Sequence, residues 1–240
     1  MKYFFLFIAT LWMNSVYSQL SFHEIDFSRI PQKKIRHFIE NQFDNDKVNF
    51  SDLEPSTGSD SDSEELYTMQ NTYLIKESPE VVWETYNTAN LATAWNGRIV
   101  SLGFLCSKWS DYIVYKNGDN YQSIDTGQVF FLNLRILYGI YNLPVGVQVV
   151  SVDKENKSIT FSYLKGGKSI GTQTITICAT PDGYTEVIHK SAFKSGSNFR
   201  DKHLYPYYHT KVLNEFHRNI ANNITTEKDF FVVLTHKNSN

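Results

Sequence analysis

The sequence predicts an α+β fold in which one curved antiparallel sheet wraps around a long C-terminal helix. Three observations lead to this prediction. A short strand and two short helical segments come first, strand-like runs fill residues 99–193, and an amphipathic helical pattern follows near residues 204–220. The loops between the runs are short. Because a parallel crossover needs about a dozen residues or more, neighbouring strands must be antiparallel.

The opening strand and helices are predicted from local residue chemistry. Residues 72–75 form a strand-like run. In Ser78-Pro79-Glu80, the serine is a suitable N-cap, the proline fits the first helical turn and the glutamate favours a helix N-terminus. A second short helix is predicted at residues 91–95. The strand-like runs that follow are 99–106, 111–115, 128–138, 145–152, 158–164, 172–179 and 185–193.

The C-terminal helix is predicted from its apolar spacing. The stripe recurs every fourth residue, which places its members on one helical face. Pro206 lies within the pattern and cannot donate its backbone hydrogen bond, so a break or kink is expected there. Glu215 falls on the opposite face and is expected to contribute little to stability. The stripe consists of Leu204, Tyr208, Val212, Phe216 and Ile220.

The chain begins with a pattern typical of a secretory signal peptide. Lys2 precedes an apolar run at residues 4–13, and a small-residue site ends at Ser18. Crossing a bilayer needs about 20 apolar residues, so the run is too short for an anchor. We therefore predict a cleaved signal peptide of residues 1–18 and an exported protein, periplasmic or secreted.

Residues 19–66 differ in composition from the rest. A helix is expected to open near residues 28–31, and an acidic Ser/Gly tract at 56–65 has the composition of a flexible linker. We expect the domain to be complete without this N-terminal helical segment and linker. The predicted domain spans residues 67–224, and residues 225–240 are predicted to be a C-terminal tail. Within that tail, residues 229–234 have the pattern of a late strand, whose placement the sequence leaves open.

The order of elements over residues 70–222 resembles the START-like helix-grip superfamily, which includes the birch-pollen-allergen and SRPBCC proteins. The phrase Ser78-Pro79-Glu80-Val81-Val82-Trp83-Glu84 after a strand is similar to the opening helix of that group. The resemblance implies a helix-grip fold with an apolar cavity between the sheet and the C-terminal helix. It also implies a lipid, sterol, polyketide or similar hydrophobic ligand, and a minority of such proteins are enzymes.

Six residues are candidates for binding a ligand. Alternate side chains of a strand share one face, and the predicted inward faces are apolar with few polar members. Such members can orient a ligand in a pocket, or they can be core residues that hydrogen-bond to each other or to buried water. Arg200 is expected to meet a ligand carboxylate or phosphate, or to pair with Asp201. The candidates are Tyr163, Gln173, His189, Ser191, Arg200 and Tyr208.

The sequence assigns no catalytic residue, no metal ligand and no cofactor. His189 and Ser191 share a face, but no acidic orienter or nucleophile elbow accompanies them. His203 and His209 are six residues apart rather than the three or four that place two ligands on one helical face.

Two cysteines are present, and no disulfide between them is predicted. Parity groups Cys106 with Val100, Leu102 and Phe104 on an inward face, whereas Cys178 belongs to an outward one. A bridge needs converging side chains, which opposite faces do not give.

The first hypothesis is an exported protein that holds a hydrophobic or amphipathic, lipid-like molecule without catalysis. One alternative is an enzyme of the same fold that uses His189 and Tyr163 as acid–base groups on a bound substrate. Another is an envelope interaction protein with a filled core. The net charge of −2, from 23 basic and 25 acidic residues, provides no attraction for nucleic acid. The expected partner is a hydrophobic small molecule, and no stable membrane insertion is expected.

Overall fold

The computed structural model of the chain describes residues 20–43, 47–57, 66–109, 112–115, 121–224 and 230–236. The predicted signal peptide and most of the acidic tract lie outside the described residues.

Within the described residues, nine strands form one antiparallel sheet in the order β3-β2-β4-β5-β6-β7-β8-β1-β9. Strands β4 to β8 are neighbours in both sequence and space because short turns connect them. The predicted antiparallel sheet is confirmed. The strands are β1 (Tyr67–Ile75), β2 (Val100–Ser107), β3 (Ile113–Tyr115), β4 (Gln128–Ile136), β5 (Tyr141–Asp153), β6 (Ser158–Tyr163), β7 (Ile170–Ala179), β8 (Thr185–Lys194) and β9 (Phe230–His236).

The helices of the described residues are α1 (Lys33–Gln42), α2 (Pro79–Thr88), α3 (Leu91–Ala94) and α4 (Tyr205–Ala221). A π-helical turn, Arg200–Leu204, leads into α4, and Pro206 lies in the first turn of α4. The predicted break at Pro206 therefore takes the form of a change from π to α geometry, in a position where the missing N–H costs little.

The main core lies between one face of the sheet and the helices α2, α3 and α4. Val212, Phe216 and Ile220 of the predicted stripe are buried, whereas Leu204 is 42% exposed. The ring of Phe216 stacks on Trp95 with 3.9 Å between their centroids. A sheet packed around the C-terminal helix, with two short helices after the first strand, confirms the predicted helix-grip fold.

A second core covers the opposite face of the sheet. Residues 20–43 and 47–57, here called the N-terminal strap, pack across β2 and β4. Gly103 permits this approach, because a Cβ at that position would lie 2.9 Å from Cγ2 of Ile35. The strap's buried apolar residues are Leu20, Ile25, Ile30, Ile35, Ile39, Phe50 and Leu53, and they meet Phe104, Cys106, Val129 and Phe131.

This packing bears on two expectations about the N-terminal segment. Its α-helix begins at Lys33, after two short 3₁₀ turns, rather than at residues 28–31. That residues 19–66 are dispensable for folding stays a prediction, and the burial of the strap against the sheet argues against it. Nothing in the length of the strap or in its single short helix indicated which face of the sheet it covers.

A β-bulge explains a wrong prediction in β2. The register shifts between Leu102 and Phe104, so Phe104 and Cys106 face the strap instead of the main core.

Cys106 and Cys178 are both free thiols. Strands β4, β5 and β6 lie between β2 and β7. At about 4.8 Å per strand, the two cysteines are about 19 Å apart, too far for a bridge.

The predicted C-terminal tail contains the late strand whose placement the sequence left open. Residues 230–236 form β9, which pairs antiparallel with β1 through registers such as Thr72 with Val233. An edge position suits a late strand, because it needs partners on one side only.

Glu215 was expected on a solvent-exposed face, and that expectation is wrong. Its carboxylate accepts backbone N–H groups from Arg98, Ile99 and Val100 at 2.5–2.9 Å. Gly97 makes room for this contact, since a Cβ there would lie 2.0 Å from the Glu215 carboxyl carbon. The carboxylate thus ties α4 to the start of β2.

Candidate functional site

A cavity of about 360 Å³ lies between the sheet and the first half of α4. Its size falls within the range typical of small-molecule sites. The wall is mainly apolar, because the inward-facing residues of β4, β5 and β6 meet one face of α4. Its apolar lining includes Trp95, Leu132, Leu134, Leu143, Val145, Val147, Phe161, Val212 and Leu213.

The structure brings most of the candidate residues to this cavity. Ser191 is the exception: it is buried on β8, does not line the cavity, and its hydroxyl has no hydrogen-bond partner among the described residues. The candidates that line the cavity are Tyr163, Gln173, His189, Arg200 and Tyr208.

Gln173 is the centre of a hydrogen-bond network at the cavity. Its Nε2 donates to the Tyr163 hydroxyl at 2.9 Å. Its Oε1 accepts from Nε2 of His189 at 3.0 Å and from Nε2 of His209 at 3.1 Å. The hydroxyls of Tyr163 and Tyr205 are also hydrogen-bonded to each other. The side-chain amide of Gln173, on β7, therefore links residues of β6, β8 and α4 by hydrogen bonds.

The network continues behind His189 into the core. His217 Nε2 donates to His189 Nδ1 at 2.9 Å, and the Tyr86 hydroxyl donates to His217 Nδ1 at 2.6 Å. One assignment satisfies every one of these bonds: each histidine is neutral and carries its proton on Nε2. In that assignment His209 Nδ1 is an acceptor, and it is buried without a partner among the described residues.

Burial keeps these groups uncharged at neutral pH. It lowers the pKa of His209 to about 3. Burial, together with nearby His209, lowers the pKa of His217 to about 3. Burial and the two other histidines hold the pKa of His189 well below its ordinary value. The pKa of Tyr163 is raised by burial to about 12.

Several members of the network escaped prediction. Tyr86, Tyr205 and His217 were not singled out, and His209 was considered only as a metal ligand. A signal was present in the sequence. Positions 209, 213 and 217 recur at four-residue steps beside the predicted stripe, so they share an adjacent ridge of the same helix.

Basic residues stand where the cavity opens to solvent. Lys168 and Arg200 both line it, together with Tyr141, which is 37% exposed. Lys168 Nζ donates to the Tyr141 hydroxyl at 2.9 Å, and Arg200 Nη2 donates to the Lys168 carbonyl at 3.0 Å. We call Lys168, Arg200, Tyr141 and the nearby Lys34 the basic mouth.

The predicted pairing of Arg200 with Asp201 is replaced by contacts to Ser195. Arg200 Nε donates to the Ser195 hydroxyl at 2.5 Å. The buried Asp201 carboxylate accepts from the Ser195 backbone N–H at 2.9 Å and from its hydroxyl. Arg200 is therefore held at the mouth without direct contact with the neighbouring carboxylate.

Large apolar side chains are exposed in the turn between β4 and β5, and one of them, Leu137, lines the cavity. The turn between β4 and β5 has positive φ at Leu137, Tyr138 and Gly139. Tyr138 is 92% exposed and Ile140 is 86% exposed.

No group of three or more His, Cys, Asp or Glu side chains in the described part of the chain is arranged to hold a metal ion. None of the described helices is both long and apolar enough to cross a bilayer.

Comparisons with known proteins find similarity in structure but not in sequence. No protein-family profile matches the chain, and no curated protein matches it. The solved structure of major latex-like protein 151 from Panax ginseng aligns with a TM-score of 0.50 and 15% identity. It covers 68% of this chain and 100% of the ginseng chain.

A second solved structure aligns equally well. Norcoclaurine synthase from Thalictrum flavum, in complex with dopamine and hydroxybenzaldehyde, gives a TM-score of 0.50 and 13% identity. The alignment covers 71% of this chain and 96% of the synthase chain. At these identities the likeness shows a shared fold, and it carries no information on the activity of this chain.

Proposed function

We propose that this chain, which has the helix-grip fold of the START-like (SRPBCC) superfamily, binds one hydrophobic or amphipathic small molecule between its sheet and α4. The observation that carries the proposal is the 360 Å³ cavity, which is apolar except for one hydrogen-bond network and the basic mouth. An apolar site with a few convergent polar groups is the usual form of a small-molecule pocket.

The network supports orientation of a ligand inside the cavity. His209 lines the cavity, and its Nδ1 is an acceptor that no described residue satisfies. The Tyr163 hydroxyl, the Gln173 amide and the His209 ring are polar groups within an otherwise apolar wall, and such groups set the orientation of a bound molecule. The remaining bonds among Tyr163, Gln173 and His189 fix the position of His209.

The same network favours binding over acid–base catalysis. A general acid or base works best with a pKa near the working pH. Burial lowers the pKa of His209 to about 3 and raises the pKa of Tyr163 to about 12, so neither group exchanges a proton readily near neutrality. His189 is also occupied, because both of its ring nitrogens are already hydrogen-bonded within the protein.

Filling the cavity tests the proposal. Leu143 lines the cavity and is partly exposed, so Leu143→Trp adds bulk there with room for the ring to adjust. We expect the wild-type protein to bind a fluorescent apolar probe and to release extractable apolar molecules identified by mass spectrometry. Leu143→Trp should lose at least about 90% of both signals while keeping a cooperative thermal transition.

The matched control is Ile188→Trp, which adds the same ring on the face of β8 opposite to the cavity-lining His189. It should bind the probe as the wild-type protein does. Equal probe binding by wild type and Leu143→Trp would refute the proposal, because the bound molecule would then lie elsewhere.

We also propose that the protein is exported after removal of residues 1–18. The supporting observation is the order of Lys2, an apolar run and a small-residue site at Ser18. The mature protein, expressed from the full-length chain in its native host, should begin at Gln19. An intact N-terminus in all cell fractions would contradict export by this route.

A further inference from the structure

We propose that the basic mouth is an anion-binding subsite, so that the ligand is an amphiphile whose apolar body fills the cavity and whose carboxylate, sulfate or phosphate meets Lys168 and Arg200. This inference rests on the proposed function and specifies its ligand class.

Positive charge is concentrated at one point of the mouth. Lys34 Nζ lies 4.4 Å from the centroid of the Tyr141 ring, and Lys168 Nζ lies 5.6 Å from it. The pKa of Tyr141 is lowered, first by the hydrogen bond from Lys168 and also by the charges of Lys168, Lys34 and Arg200. Three cations therefore act on a single phenol beside the cavity.

The protein supplies no opposing charge to this cluster. No Asp or Glu is among the described residues that line the cavity. The carboxylate nearest to Arg200 in sequence, that of Asp201, is buried and accepts hydrogen bonds from Ser195. An anion that arrives with the ligand would therefore meet cations that have no carboxylate partner in the described structure.

Donors remain open for that anion. A guanidinium has five N–H donors, and Arg200 uses two of them, on Ser195 and Lys168. An ammonium has three, and Lys168 uses one on Tyr141. Hydrogen bonds between such cations and a carboxylate or phosphate are about twice as strong as neutral ones. The contacts that Arg200 and Lys168 already make hold them in position for this role.

The experiment compares three probes of equal chain length with different head groups: dodecanoate, dodecanol and dodecylammonium. Binding is measured by calorimetry at neutral pH and low salt. We expect dodecanoate to bind about tenfold more tightly than dodecanol and dodecylammonium to bind least, as a partly exposed charge pair predicts. Raising the salt concentration should weaken dodecanoate binding and leave dodecanol binding unchanged, because salt screens exposed charges.

Two variants localise the effect. Arg200→Gln and Lys168→Gln should each reduce the preference for dodecanoate over dodecanol by at least about threefold. Lys190→Gln is the matched control, since Lys190 is an exposed lysine on β8 that does not line the cavity. It should keep the full preference.

The possible outcomes separate the two proposals. If dodecanoate and dodecanol bind equally, and neither Arg200→Gln nor Lys168→Gln alters the ratio, the anion subsite is wrong and the apolar cavity stands. If no probe binds more tightly to wild type than to Leu143→Trp, the cavity itself is not the site and both proposals fail. A preference for dodecanoate that Lys190→Gln also removes would overturn the assignment to the mouth.

Discussion

The buried histidines make the stability of this protein depend on pH. When folding lowers the pKa of a histidine, the unfolded chain takes up the proton at a higher pH than the folded chain does. Acid therefore favours the unfolded chain, by about 1.4 kcal/mol per pH unit per histidine, from the unfolded pKa of about 6.5 down to the folded pKa. His209 and His217 have folded pKa values of about 3, so their contribution is fully present above about pH 7 and is lost as the pH falls.

We expect the free energy of unfolding to fall between pH 7 and pH 5 by about 2 kcal/mol for each such histidine. His209→Gln keeps a donor for Gln173 and removes the titrating ring, so it should make the fall smaller by about 2 kcal/mol. Urea denaturation at several pH values in this window measures both. The window also lies above the range in which Asp and Glu side chains mainly titrate.

The control for this prediction is His37→Gln, because His37 is an exposed residue of α1. It should leave the pH dependence unchanged. Stability that is constant from pH 7 to pH 5 in the wild-type protein would mean that the histidines are not buried in a neutral form.

Glu215 gives a second prediction at the scale of one side chain. Its carboxylate accepts three backbone N–H groups, from residues 98–100. Glu215→Ala leaves those donors without their charged acceptor and should cost about 1–3 kcal/mol. Arg218→Ala, at an exposed position of the same helix, should cost less than about 0.5 kcal/mol. Equal small losses in urea denaturation would show that the contact adds no stability.

At the scale of the element, α4 carries two ridges with different roles. Val212, Phe216 and Ile220 form an apolar ridge in the main core. The adjacent ridge includes His209 and His217, which join the helix to β7 and β8 through hydrogen bonds. The apolar ridge of α4 is therefore buried in the main core, whereas the adjacent ridge fixes the position of the helix on the sheet through hydrogen bonds.

Phe216→Ala tests the packing of α4. The ring is 2% exposed and stacks on Trp95, so its loss should cost about 3–5 kcal/mol. Tyr207→Ala, which truncates a ring that is 55% exposed, should cost less than about 0.5 kcal/mol. Chemical denaturation of the two variants provides the measurement. A loss at Phe216 no greater than the loss at Tyr207 would contradict the burial of this ridge.

At the scale of the whole molecule, one sheet separates two apolar cores. The main core contains α4 and the cavity, and the second core lies under the N-terminal strap. Without the strap, Phe104, Val129 and Phe131 would present an apolar patch to solvent. Patches of this kind lead to association or aggregation when nothing covers them.

The strap should therefore be part of the cooperative unit. Ile39→Ala should lower the free energy of unfolding by about 2–4 kcal/mol, because Ile39 is fully buried against the sheet. A chain that starts at Tyr67 should lose its single thermal transition or aggregate. His37→Ala, on the exposed side of the same helix, is the matched control and should be neutral within about 0.5 kcal/mol. A truncated chain as stable as the full one would show that the strap is only an attachment.

Local patterns were sufficient for much of this description. Turn residues, capping signals and the stripe at 212, 216 and 220 predicted the elements and their antiparallel order, because each depends on neighbours within a few residues. Strand parity also placed Tyr163, Gln173 and His189 on inward faces. Parity failed at Cys106, because a bulge inserts one residue into β2 and reverses every side chain after it.

The sequence by itself determined the strands, their antiparallel order and the C-terminal helix, because periodicity and turn chemistry act locally. The curvature of the sheet around that helix was expected from the resemblance to the helix-grip superfamily. Only the tertiary structure decided where the distant segments lie. It placed the strap on the outer face of β2 and β4, β9 beside β1, and the Glu215 carboxylate on the backbone of residues 98–100. It also decided that three histidines and Gln173 share one network, since their hydrogen bonds join residues that are 16 to 36 positions apart. No local pattern specifies contacts of that range, because they depend on how whole elements pack.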